Sequence, residues 1–149
     1  MRPTKLTVVI VFAVLMIPLA LFSQSPGSAT TVAPQKGQVK TRSGLVYEIV
    51  AKGTGPTAKR GHKVRIHETL ALPDGTVLFT SRKNNQPVTF VLGGDQVIPG
   101  VDEGVAGMRV GEHRKLFVPP SLDGRKFDPA FIPPDAIRHY DIELIEIVK

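Results

Sequence analysis

From Glu112 to Val118 the chain alternates with a period of two, placing Leu116 and Val118 on one face and Lys115 and Phe117 on the other, and Pro119-Pro120 ends the run as a strand. His62 to Leu72 keeps the same period, with Val64, Ile66, Glu68 and Leu70 on one side and Arg65, His67 and Thr69 on the other. Leu72-Pro-Asp-Gly-Thr76 is a turn signal, so Val77 to Ser81 is read as the second arm of a hairpin. Leu45 to Val50 and Val88 to Leu92 read as further strands, flanked by the breaker-rich loop Lys52 to Gly61 and the polar excursion Arg82 to Pro87. The last strand runs from Tyr140 to Val148. In it Tyr140, Ile142 and Leu144 share one phase and Ile145 and Ile147 take the other, which predicts a bulge or a covered second face near Leu144.

Between Val97 and Gly107 the period lengthens. Ile98, Val101, Val105 and Met108 recur at spacings of three and four, the stripe of a helix with one apolar face. Pro99 suits the first turn, where its missing N–H is not needed, Asp102 and Glu103 sit where the dipole favours negative charge, and Gly107 is placed to end the helix. Gly104 on the striped side lets a sheet approach closely. With strands outnumbering helices, the class is α+β: a bent antiparallel sheet of five to six strands wrapped around one short helix. Its core is expected to hold Ile66, Phe90, Leu92, Val105, Leu116, Val118, Ile142 and Leu144.

Two charged residues fall in inward phases, Glu68 beside Ile66 and Leu70, and Arg114 beside Leu116 and Val118. A buried carboxylate needs a partner, a raised pKa or an open rim, and Arg114 is the expected partner of Glu68.

The 42% hydrophobic content of the 149 residues is enough for one domain with a real core. Arg2 and Lys5 precede an uncharged run, Leu6 to Phe22, followed by small and polar residues up to Gly27-Ser28-Ala29. That order reads as a secretory signal cleaved after Ala29. Retention as an uncleaved anchor through residues 6–22 is the alternative, because the run reaches the lower limit of the ~17 to 25 residues that span a bilayer. The protein is therefore expected to be exported, periplasmic or secreted, or tethered to the membrane by its first segment. Residues 30–40, rich in Thr, Pro, Gln and Gly, read as a flexible tether, and the domain is expected over residues 41–149.

No cysteine is present, which excludes a disulfide framework, a lipoprotein anchor and thiolate chemistry. Without Arg2 and Lys5 the 19 basic residues fall to 17 against 13 acidic ones, a net charge of +4. The basic residues from Lys36 to Lys63 lie among Gly, Thr and Pro with no interleaved aromatics, so nucleic acid is not an expected partner. Gly93-Gly94 lacks the Gly-Lys-Ser/Thr of a phosphate loop, and His62, His67, His113 and His139 lack metal-ligand spacing and read as strand-surface residues. Neither a metal nor a cofactor is expected, and no Ser, His and Asp set stands out for hydrolysis.

The order Ser43-Gly-Leu-Val-Tyr, Pro73-Asp-Gly, Phe90-Val-Leu-Gly, Val97-Ile-Pro-Gly-Val-Asp-Glu-Gly, Met108-Arg-Val-Gly-Glu, Val118-Pro-Pro and Ile132-Pro-Pro-Asp-Ala resembles FKBP-type peptidyl-prolyl cis-trans isomerases over Thr41 to Lys149. The resemblance implies a monomeric enzyme acting on proline-containing polypeptides in an apolar pocket between helix and sheet. It assigns catalysis to Val97, Ile98, Val101 and Tyr140, with Val101 as the pocket floor where the family usually has Trp, and with the backbone N–H of Ile98 holding a substrate carbonyl. Substrate-binding positions carried over are Glu68, Leu78, Phe79, Val88, Phe131 and Ile132. Several depart from the family pattern: Glu68 replaces a Tyr, Leu78-Phe79 a Phe-Asp pair, Val88 an aromatic residue, and Leu122-Asp-Gly-Arg an Ala-Tyr-Gly. The expectation is an exported isomerase of reduced activity that assists folding. A non-catalytic peptide-binding or chaperone-like module on the same fold is the alternative.

Overall fold

The computed structural model describes residues 34–124 and 133–148. Seven antiparallel strands form one bent sheet: β1 (Gln38–Lys40), β2 (Val46–Ala51), β3 (Lys63–Ala71), β4 (Val77–Thr80), β5 (Val88–Val91), β6 (His113–Val118) and β7 (Arg138–Val148). Their spatial order is β1-β2-β6-β7-β3-β4, and β5 also pairs with β3. The free edge of β3 is thus shared: β4 lies opposite Thr69 to Ala71 and β5 opposite Lys63 to Ile66. Among the described residues one α-helix, α1 (Pro99–Val105), lies on the inner face, and a short 3-10 turn, Pro120–Leu122, follows β6.

This is the sheet-on-helix architecture read from the periodicities, with one difference at its start. Gln38–Lys40, inside the stretch expected to be a tether, pairs with Glu48, Tyr47 and Val46 of β2. Such an edge strand has solvent on both sides of it and so carries no apolar alternation to read. The proposed export segment lies outside the described residues, and no described helix is long and apolar enough to cross a membrane.

All eight expected core residues are buried. They form one cluster with Leu45, Ala58, Leu70, Val101, Met108 and Tyr140. Burying a Leu or Ile side chain contributes about 1.5 to 3 kcal/mol, so this cluster is what holds a cysteine-free domain together. The bulge in β7 is present as well: Arg65 pairs with Glu146 and Ile66 with Leu144, leaving Ile145 as the extra residue. The one-residue slip turns Ile147 back against the core.

The helix sits close because its inner positions lack side chains. A Cβ on Gly104 would stand 2.3 Å from Leu116 Cδ1, and one on Gly100 would stand 2.5 Å from Val118 Cγ1. Two glycines therefore seat α1 directly on β6.

Candidate active site

The segment joining β5 to α1 is folded over the helix start by two hydrogen bonds. Gly93 N–H donates to Asp102 Oδ1 at 2.7 Å, and Val91 N–H donates to Gln96 Oε1 at 2.7 Å. Asp102 therefore serves the loop as well as the dipole. Ile98 is the extended residue just before the helix, with φ −64° and ψ 149°, and Pro99 follows as the first helical residue. The Ile98 carbonyl accepts from Val101 and Asp102 at 3.0 and 3.1 Å. Its N–H has no acceptor among the described residues.

Beside this segment opens a cleft of about 610 Å³ between the helix start, the β5–α1 loop, β3 and β7. Val97, Ile98, Val101 and Tyr140 line it, as does Glu68. Val101 and Tyr140 are 1% and 2% exposed, so they form its closed end. Tyr140 faces inward on β7, in register with Leu116 on one side and Leu70 on the other. Glu68 stands further along the same inner surface, opposite Ile142, with its strand fastened to Ser81: Glu68 N–H donates to Ser81 Oγ at 2.9 Å and Ser81 N–H donates to the Glu68 carbonyl at 3.0 Å.

The structure thus brings together all four proposed catalytic positions and one of the six proposed binding positions. Leu78 and Val88 are half-buried against the core and do not line the cleft. Phe79 does not either, because alternation along β4 turns it outward, where it is 46% exposed. Phe131 and Ile132 lie outside the described residues. Arg60, Asp95, Gln96 and Asp102 line the cleft without having been anticipated. Asp102 was legible as a first-turn acid; Asp95 and Gln96 carried no motif, and Arg60 gave no signal, since it comes from a distant loop. Among the described residues, four carboxylates (Glu68, Asp95, Asp102 and Glu103) and one guanidinium (Arg60) surround the apolar end. Glu103 is held by Ser43 Oγ at 2.7 to 2.8 Å.

Arg114 is not the partner of Glu68. Its Nε donates to Glu112, and its two terminal nitrogens donate to the carbonyls of Gly104 and Gly107 at 3.0 and 3.5 Å. Both residues sit opposite Ile142, on the strands that flank it, but the Arg114 side chain is turned to Glu112 and the end of the helix instead of across β7. The inward phase of Arg114 is as expected: it is 7% exposed. Glu68 occupies the cleft rim and has other interactions. Among the described residues no group of three or more His, Asp or Glu could hold a metal.

The family model for FKBP-type peptidyl-prolyl cis-trans isomerases matches residues 55–145. FK506-binding protein 2 of Yarrowia lipolytica is 38% identical over 120 residues, 80% of this chain and 83% of the relative. The FKBP-type peptidyl-prolyl cis-trans isomerase FkpA of Aeromonas hydrophila is 39% identical over 78% of this chain, which spans 43% of that longer protein. Among solved structures, AtFKBP13 superposes with a TM-score of 0.66 at 31% identity, covering 74% of this chain and 98% of its own. The chain belongs to the FKBP-type peptidyl-prolyl cis-trans isomerase family, and prolyl isomerisation is the function that membership supports.

Proposed function

We propose that the protein is an exported prolyl isomerase working in the cleft at the start of α1, with activity below that of an aromatic-lined pocket. The observation that carries this is the pairing of an apolar lining, Val97, Ile98, Val101 and Tyr140, with the N–H of Ile98, which has no acceptor among the described residues. The chemical argument needs no acid or base. Rotation about a peptide bond meets a barrier of ~18 to 20 kcal/mol because resonance makes the bond partly double. The twisted amide has lost that resonance and its charge separation, so an apolar enclosure favours it over the planar ground state. The Ile98 N–H holds a substrate carbonyl in place while the proline ring turns against Val101 and Tyr140, and this backbone contact survives any side-chain change.

Reduced activity follows from what surrounds that lining. Valine at position 101 gives less apolar area than an aromatic ring, and the Glu68 carboxylate keeps the rim polar. The second reading, a module that grips proline-containing segments without useful catalysis, draws support from the positions of Leu78, Phe79 and Val88 away from the cleft.

A peptide series varying the residue before proline tests both. Acceleration of cis-trans exchange is expected for at least the apolar members. Rates equal to the uncatalysed ones throughout remove the enzyme and leave the binding module. Export rests on the order of residues 1–29, and sequencing the N-terminus of the protein recovered from its host is the direct check. A start at Thr30 is expected; an intact Met1 on membrane-bound material identifies an anchor instead.

A further inference from the structure

We infer that Arg114 is a positioning residue for the cleft: from β6 it clamps the carboxyl end of α1 and so sets the place of Val97, Ile98 and Val101 at the other end. This rests on the reading of the cleft as the isomerase site.

Three successive inward residues of β6 meet the helix along its length. Val118 lies under Gly100 and Leu116 under Gly104. Arg114 reaches past them to the carbonyls of Gly104 and Gly107. The first two contacts are apolar and have no preferred direction, so they fix how close the helix lies and leave its slide along the strand open. Hydrogen bonds to carbonyls are directional, and at this end Arg114 supplies them from a side chain, beside the backbone pairing of Ala58 with Gly107 and Met108.

Among the described residues, the other directional ties on the helix come from Gly93 and Ser43 to the side chains of Asp102 and Glu103 and from Ala58 to the backbone just past its end, none of them to the carbonyls of its last turn. The helix is seven residues long, has no side-chain cap at Ile98 and no basic residue in its own last turn. Arg114 supplies the missing cation at the negative end of the dipole from a neighbouring strand.

The guanidinium is itself held from several directions. Glu112 takes its Nε and, through the other carboxylate oxygen, accepts the Arg109 N–H at 2.9 Å. The Tyr47 ring lies 4.7 Å from its central carbon. The turn between α1 and β6 is thereby tied to the strand at both ends. From Gly104 to Ile98 is about 9 Å along the axis, and a short helix moves as a rigid rod over that distance. An error at the clamp therefore appears at the Ile98 N–H, and displacement of a catalytic group by about 1 Å is enough to cost large factors in rate.

A merely structural ion pair predicts something different, and the variant Glu112→Gln with Arg114→Met separates the two. It removes both charges together, so neither is left buried alone, a change that is often near neutral for stability. The clamp predicts a urea midpoint close to the parent's, a fall of about tenfold in kcat/KM on a proline peptide, and displaced amide resonances for Ile98 and Val101. Arg114→Lys, which keeps the charge and loses the fork, should fall between the two. A folded double variant with parental kcat/KM and unmoved Ile98 and Val101 resonances overturns the inference. Should the double variant not fold, Arg114→Lys decides: turnover and resonances equal to the parent's overturn it. If the parent itself shows no turnover, the isomerase reading fails, and the Ile98 and Val101 resonances still decide whether Arg114 positions the helix start.

Discussion

At the scale of single residues, the departures from an aromatic-lined pocket have separable effects. Glu68 keeps a carboxylate at the rim of a cleft whose chemistry favours dryness. Glu68→Tyr should raise kcat/KM by about threefold to tenfold, a change of ~1 kcal/mol in the barrier; an unchanged or lower value in the peptide assay would show that rim polarity is not what limits the rate. His139 gives a pH dependence. Half-buried, with its ring edge-on to Phe117 at 4.9 Å, it has its pKa lowered by burial. The unfolded chain then binds the proton more readily than the folded one, so this contribution to stability is intact above the ordinary histidine range and is lost as pH falls through it toward the folded pKa. Urea midpoints should decline between about pH 7 and 5, and His139→Phe should flatten that decline. Arg114 shows what residue patterns can convey. Its burial was legible, because strand phase fixes the face a side chain takes. Its partner was not, although Glu112, two positions earlier, shares its phase and its burial, because strand phase gives the face a side chain takes and not which neighbour on that face it bonds.

At the scale of elements, close packing of helix on sheet decides two substitutions with opposite volume changes. Leu116 is fully buried on β6 beneath α1. Leu116→Ala should cost about 2 to 5 kcal/mol, since the rigid sheet can collapse only partly onto the void; a loss well under 1 kcal/mol in urea unfolding would contradict the observed packing. Gly104→Ala gains ~1 kcal/mol of helix propensity. Its Cβ, however, would stand 2.3 and 2.8 Å from the two methyl carbons of Leu116, so the whole leucine must turn or the helix must lift. Overpacking of this kind costs about 1 to 3 kcal/mol, and the expected net effect is a loss of stability, read from the same urea transition. The elements were legible wherever one face is buried and the other wet, as in β3 and β6. The change of phase within β7 likewise marked its bulge. β1 was not legible, because its place comes from hydrogen bonds offered by β2 and not from its own side chains. The cleft was legible at the helix motif and, through the family resemblance, at Glu68 and Tyr140; Arg60 reaches it from a separate loop, and no local pattern records that approach.

At the scale of the whole molecule, sheet order makes the two ends of the domain unequal. β1 is a three-residue edge strand, paired on one side only, and Val39 at its centre is 46% exposed. β7 runs between β3 and β6, pairs with both along most of its eleven residues, and contributes Tyr140, Ile142 and Leu144 to the core. Deleting residues 1–40 should therefore leave a cooperative urea transition, with a loss on the order of 1 to 2 kcal/mol from a few edge hydrogen bonds. Deleting residues 139–149 removes three large buried side chains and strips the pairing from both neighbouring strands. That exceeds the ~5 to 15 kcal/mol by which domains are stable at all, because each lost core side chain alone costs roughly 2 to 5 kcal/mol and two strand edges lose their partners. The C-terminal deletion should give no cooperative transition and no near-ultraviolet circular dichroism. A sigmoidal urea curve for that variant would mean the sheet can close without its central strand, contrary to the pairing of β7 with both β3 and β6.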